Sequence, residues 1–141
     1  MISYSENDKR KIIMDYYTNP RSRIEKKDIP NYNSKYLHSS SCVDEITLYY
    51  DNDKKDWKFV GQGCAIFLSS SEIFIERIKE IGFENKMQLI ENYEKLINFP
   101  KSIDSKEKYL LQKLMIFENV NKHLNRKECA LIISNIFKMI I

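Results

Sequence analysis

Between residues 45 and 81 the spacing of apolar side chains changes once, and the change falls on Gly61-Gln62-Gly63-Cys64. Before it, Glu45–Tyr50 alternates Ile46, Leu48 and Tyr50 with Glu45, Thr47 and Tyr49, the period of a half-buried strand. Asp51–Asp56 reads as a turn and Trp57–Val60 as a second strand, with residues 35–41 supplying a third. After the change, residues 64–81 place Phe67, Ser71, Phe74, Ile78 and Ile81 on one helical face, and Gly82 ends the run. Three further helices are expected: about 84–97, on Met87, Ile90, Tyr93 and Leu96–Ile97; about 105–121, on Tyr109, Leu110, Leu114 and Phe117; and about 126–140.

Upstream of the strands, Ile12, Ile13, Tyr16 and Tyr17 recur at helical spacing over residues 6–17, and Asn19-Pro20 stops that helix. Residues 21–34, polar and carrying Pro30, read as a surface loop. The expected fold is α+β: an N-terminal helix, a small three-stranded antiparallel sheet and a helical C-terminal half. With 141 residues and 16.9 kDa, one domain spanning 1–141 is expected, exposing about 7,700 Å² when folded. There are three Gly and three Pro, which excludes collagen-like and turn-rich small β architectures.

Charge and flanking segments narrow the function classes. The 23 Lys+Arg and 20 Asp+Glu are interleaved, as in Lys54-Lys55-Asp56 and Arg77-Ile78-Lys79-Glu80, which describes solvated faces and not a nucleic-acid stripe. Met1–Asp8 has no apolar core of a signal peptide, and the apolar stretch Cys129–Ile141 is short of a bilayer span. A cytoplasmic protein with reduced cysteines is expected, with neither nucleic acid nor membrane as partner.

The three cysteines carry the chemistry. Cys42, Cys64 and Cys129 are 22 and 65 positions apart, with no CxxC pair, so a zinc ribbon or thioredoxin-like motif is out. Cys42 lies in the polar turn Ser39-Ser40-Ser41-Cys42-Val43-Asp44. Cys64 stands where a strand hands over to a helix, a place at which free N–H groups and the helix dipole favour a thiolate. Cys129 follows Arg126-Lys127-Glu128 near the start of the last helix. Two readings fit these settings. Three buried cysteines serve as small hydrophobes, or three thiols bind a metal with Asp44 as a fourth ligand. Three thiolates, a carboxylate and Zn²⁺ sum to a formal charge of about −2, for which Arg126 is the natural counter-charge.

Four stretches resemble one known family. Ile12-Ile13-Met14-Asp15-Tyr16-Tyr17-Thr18-Asn19-Pro20-Arg21 looks like the opening helix and Asn-Pro-Arg stop of the SufU/IscU/NifU N-terminal family. Cys42-Val43-Asp44 resembles its Cys-Gly-Asp, Phe59–Ile66 its strand with Gly-x-Gly-Cys, and Arg126-Lys127-Glu128-Cys129-Ala130 its Arg-x-x-Cys-Ala. Ser69-Ser70-Ser71 sits where the family has an Ala/Ser run. The long gap between Cys64 and Cys129, Glu128 in place of a histidine, and the lack of Pro-Pro-Val-Lys resemble the SufU branch more than the IscU branch.

The resemblance implies a zinc ion held by Cys42, Asp44, Cys64 and Cys129. It implies that Cys42 accepts persulfide sulfur from a SufS-type cysteine desulfurase and passes it toward downstream iron–sulfur scaffold or acceptor proteins. The chain would then be a desulfurase partner with zinc-dependent sulfurtransferase character and not a stand-alone enzyme. Two alternatives use the same cysteines: a scaffold for a transient [2Fe–2S] cluster, and a structural zinc module that only docks. The chain departs from the family at Val43 for glycine, at Ser39–Ser41 for Asn-Pro-Thr, at Tyr16 for histidine, and at His123-Leu124-Asn125-Arg126 for Phe-Pro-Ala-Arg. Val43 tolerates positive φ poorly. His38 and His123 read as exposed histidines, with His38 a spare ligand as the alternative. Asp51-Asn52-Asp53 lacks the glycine and terminal Glu of a calcium loop.

Overall fold

The structure, a computed structural model, describes residues 3–39 and 44–140. Helix α1 (Glu6–Thr18) opens with a capping box, in which Ser5 and Asp8 each accept the other's backbone N–H. Strands β1 (Asn33–His38), β2 (Glu45–Tyr50) and β3 (Trp57–Gln62) form an antiparallel sheet in the order β1-β2-β3. The register sets Tyr50 opposite Trp57 and Leu48 opposite Phe59. Helices α2 (Ala65–Ile81), α3 (Lys86–Asn98), α4 (Ser105–Leu111) and α5 (Leu124–Lys138) follow. The expected α+β architecture is the one observed, and the total accessible surface of 7925 Å² agrees with the scaling from mass.

The alternation in the strands does its expected work. Ile46, Leu48, Trp57 and Phe59 are buried on one face, against Phe67, Phe74 and Ile78 of α2 and Ile133 and Phe137 of α5 in a common hydrophobic cluster. Trp57 stacks on Phe83 at 5.9 Å between ring centroids. Helix α5 packs chiefly on α2 and α3, and the buried Tyr93 hydroxyl of α3 donates to the Ala130 carbonyl of α5 at 2.7 Å. That bond fixes the α5 backbone next to Cys129.

Three expectations need correction. The expected helix over 105–121 stops at Leu111, because Gln112 has φ +51°, and the chain continues as the 3₁₀ segments Gln112–Phe117 and Val120–Lys122. Leu114, Met115, Ile116 and Phe117 are all buried. Four consecutive residues cover most of the way round an α-helix, so no straight amphipathic helix buries them all. The loop expected over 21–34 is not simply superficial. Ser22 is buried, and its segment adds to the edge of β3 through Phe59 N–H to Ser22 O (3.0 Å) and Ile24 N–H to Phe59 O (2.8 Å). Its last residues already belong to β1, which begins at Asn33 and not Lys35, while residues 40–41 lie outside the described chain. The last helix spans Leu124–Lys138 where 126–140 was expected. Among the described residues, no helix is long and apolar enough to cross a membrane.

Candidate metal centre

The sheet and two helices deliver three donor side chains to one place. Asp44 immediately precedes β2, and its carbonyl accepts the Ser39 N–H at 3.0 Å, which ties the end of β1 to the start of β2. Cys64 is the N-cap of α2, with φ −78° and ψ 167°, and its sulfur accepts the Phe67 N–H at 3.5 Å. Cys129 lies on α5, one turn in. One ligand atom from each of Asp44, Cys64 and Cys129 lies within 4.8 Å of the other two.

Asp44 is oriented by its neighbour in space. Its Oδ1 accepts the Cys64 N–H at 3.1 Å, and its Oδ2 stands 3.9 Å from the Cys64 sulfur. The approach is close because residue 63 is glycine. A Cβ built on Gly63 would overlap the Asp44 carboxylate and stand 2.6 Å from Phe67 Cδ2. The sequence places Gly63 at the strand-to-helix change but gives no reason for its lack of a side chain. Its physical partner is 19 positions away, and no local signal names it.

The donor set suits a tetrahedral divalent metal. Bond lengths of about 2.3 Å to sulfur and 2.0–2.2 Å to oxygen imply ligand–ligand edges of about 3.5–3.8 Å; the Asp44 oxygen and Cys64 sulfur stand 3.9 Å apart, and all three donors lie within 4.8 Å of one another. Asp44 is 2% exposed yet forms no ion pair with any described residue. A buried carboxylate without a counter-charge is costly. Burial, with Asp44 and Cys64 beside it, pushes the Cys129 thiol up from its ordinary range. A divalent cation relieves both conditions at once.

The remaining expected residues fall as follows. Cys42 lies outside the described residues. Cys64 is exposed and Cys129 buried, so a set of three buried hydrophobic cysteines is not what the fold holds. Arg126 is exposed on the first turn of α5 and forms no ion pair among the described residues, so the expected counter-charge is not seen in contact with the set. His38 ends β1 and His123 is the N-cap of α5; both are exposed and neither joins the donor cluster. Asp51–Asp56 is a hairpin turn, closed by Lys55 N–H to Asp51 Oδ1 at 2.8 Å. Tyr16, which stands where the family has histidine, is buried with its hydroxyl donating to Glu76 at 2.5 Å and accepting from Lys113 at 2.9 Å.

Comparison with known proteins gives the family. The NifU-like N-terminal domain matches residues 8–130. The iron–sulfur cluster assembly scaffold protein IscU of Thermotoga maritima is 33% identical over 95 residues, which are 65% of this chain and 64% of that protein. The chain thus spans just under two thirds of that relative's length. The zinc-dependent sulfurtransferase SufU of Bacillus subtilis is 27% identical over 124 residues, 86% of this chain and 80% of that protein. Among solved structures, a candidate iron–sulfur cluster assembly scaffold for the SUF system from Fervidobacterium islandicum AW-1 superposes with a TM-score of 0.75. It is 30% identical and covers 96% of this chain and 94% of its own. On the match across most of its length, this chain belongs to the NifU-like N-terminal domain family, which includes IscU and SufU.

Proposed function

We propose that this chain is a zinc-bound sulfur acceptor, receiving persulfide sulfur from a SufS-type cysteine desulfurase on Cys42 and passing it into iron–sulfur cluster assembly. The observation that carries the reading is the convergence of Asp44, Cys64 and Cys129 from three separate elements. Cys42 completes the ligand set in this reading, two positions before Asp44 in the chain. The ion supplies the positive charge that keeps coordinating sulfurs deprotonated and ready to act as nucleophiles. In this reading Cys129, buried on α5, is an anchor, Asp44 is held by the Cys64 N–H, and Cys42, the cysteine matching the family's first, is the sulfur that reacts. Its attack on the terminal sulfur of the desulfurase persulfide forms one S–S bond and breaks another, and the desulfurase thiolate departs.

The test is mass spectrometry after incubation with desulfurase and cysteine. One added sulfur on Cys42 is expected in the wild type and none in Cys42→Ala. Sulfur on Cys64 or Cys129, with Cys42 unmodified, would remove the assignment. The IscU relative, named as a scaffold, favours a second reading in which the same ligands assemble a transient [2Fe–2S] cluster. Anaerobic reconstitution separates the two: a stable cluster absorbance gained at the expense of zinc supports the scaffold.

A further inference from the structure

We propose that Cys64 and Cys129 form a reversible disulfide that dismantles the metal centre, a redox device made of two of its own ligands. This rests on the metal-centre part of the reading above and is independent of sulfur transfer. The two sulfurs lie within 4.8 Å of each other, on helices α2 and α5 that pack together. Joining them at the usual S–S length of about 2.05 Å closes a gap of under 3 Å. Cys64 is the exposed member, so an oxidant reaches it first, while Cys129 waits behind it in the buried floor.

The chain order makes this pairing a property of the fold. Cys42 and Cys64 are 22 positions apart, Cys64 and Cys129 65. In an unstructured chain loop closure therefore favours the Cys42–Cys64 pair by about fivefold. The folded chain reverses that order by holding the two distant sulfurs side by side.

The oxidant is a peroxide. The Cys64 sulfur attacks one peroxide oxygen, the O–O bond breaks, and one water leaves as a sulfenic acid forms on Cys64. The Cys129 sulfur then attacks the sulfenic sulfur, the S–S bond forms, and a second water departs. Together the thiols give up two electrons and two protons to the peroxide. A thiol reductant reverses the change by exchange. With both sulfurs tied, Asp44 and Cys42 remain, too few for the four-coordinate site.

The experiment maps disulfides by non-reducing peptide mass spectrometry after the full chain, zinc-loaded or zinc-stripped, meets limiting hydrogen peroxide. In the folded stripped chain the Cys64–Cys129 crosslink should exceed Cys42–Cys64 at least fivefold, and in denaturant the order should invert. Cys42→Ala should form the crosslink equally well, and bound zinc should slow it at least tenfold. Dithiothreitol should restore zinc binding. Circular dichroism shows whether the stripped chain keeps its fold; where it does not, the zinc-loaded arm decides, since the same crosslink should then appear as zinc is released. Dominance of a Cys42 pair in the folded chain, over-oxidation of Cys64 without a crosslink, or zinc binding unchanged by the crosslink would each overturn the proposal. None of these outcomes reads desulfurase activity, so a failure here and a failure of sulfur transfer are distinguishable.

Discussion

At Gly63 the space a side chain would fill is taken by the Asp44 carboxylate. Gly63→Ala should therefore push Asp44 off the Cys64 N–H, lowering zinc affinity at least tenfold and unfolding free energy by about 1–3 kcal/mol. Chelator competition and urea denaturation measure the two effects, and an unchanged affinity would mean that the gap does not position the carboxylate. Cys129 teaches the same lesson from the other side. Its sequence neighbours Arg126 and Lys127 suggested an electropositive setting, yet Arg126 is exposed, while burial pushes the thiol up. Neighbours in sequence point in different directions around a helix. What surrounds Cys129 comes instead from Asp44 just before β2, from Cys64 at the start of α2, and from α3 by way of the Tyr93 bond to Ala130.

Single elements were legible where one face repeats and illegible where a tertiary contact overrode the pattern. The strands β2 and β3 and helix α2 follow their periods closely. The polar segment after α1 does not behave as its composition suggests, because Glu72 gathers it. This 2% exposed carboxylate accepts the N–H groups of Arg21, Ser22 and Arg23 at 3.1, 2.8 and 2.9 Å, and so holds the segment against β3. Glu72→Gln removes the charge from those bonds and turns an amide donor toward a donor, a loss of about 2–3 kcal/mol. Urea denaturation measures it; a loss below about 0.5 kcal/mol would show that the staple carries little. A glutamate within the mostly apolar stretch Ile66–Ile75 was the available signal. The break at Gln112 left none, since a positive φ in a non-glycine residue is imposed by packing of Leu114–Phe117 and not by local propensity.

For the whole molecule, charge couples the N-terminal helix to the rest. Lys9 is buried, which works against its ammonium, but hydrogen bonds to Glu118 (3.0 Å) and Glu6 (3.2 Å) prevail and raise it above 10.5. Burial and the bond to Glu76 raise the Tyr16 phenol above 10. In both cases the folded chain holds the proton more tightly than the unfolded one. Their stabilisation is complete below about pH 10 and is lost as pH climbs through the raised values. Lys86, lowered by burial and by Lys54, acts in the opposite sense. Denaturation midpoints measured from pH 8 to 12 should fall above pH 10, and Tyr16→Phe should flatten part of that fall; a midpoint that is level to pH 12 would refute the coupling. The order of the elements and the periods of β2, β3 and α2 were set by the sequence alone, because period and residue type are local properties; the four candidate ligands were named through family resemblance. Which donors meet, which is buried, and why residue 63 has no side chain were decided by the tertiary structure, because β2, α2 and α5 bring together atoms that the chain keeps as many as 85 positions apart.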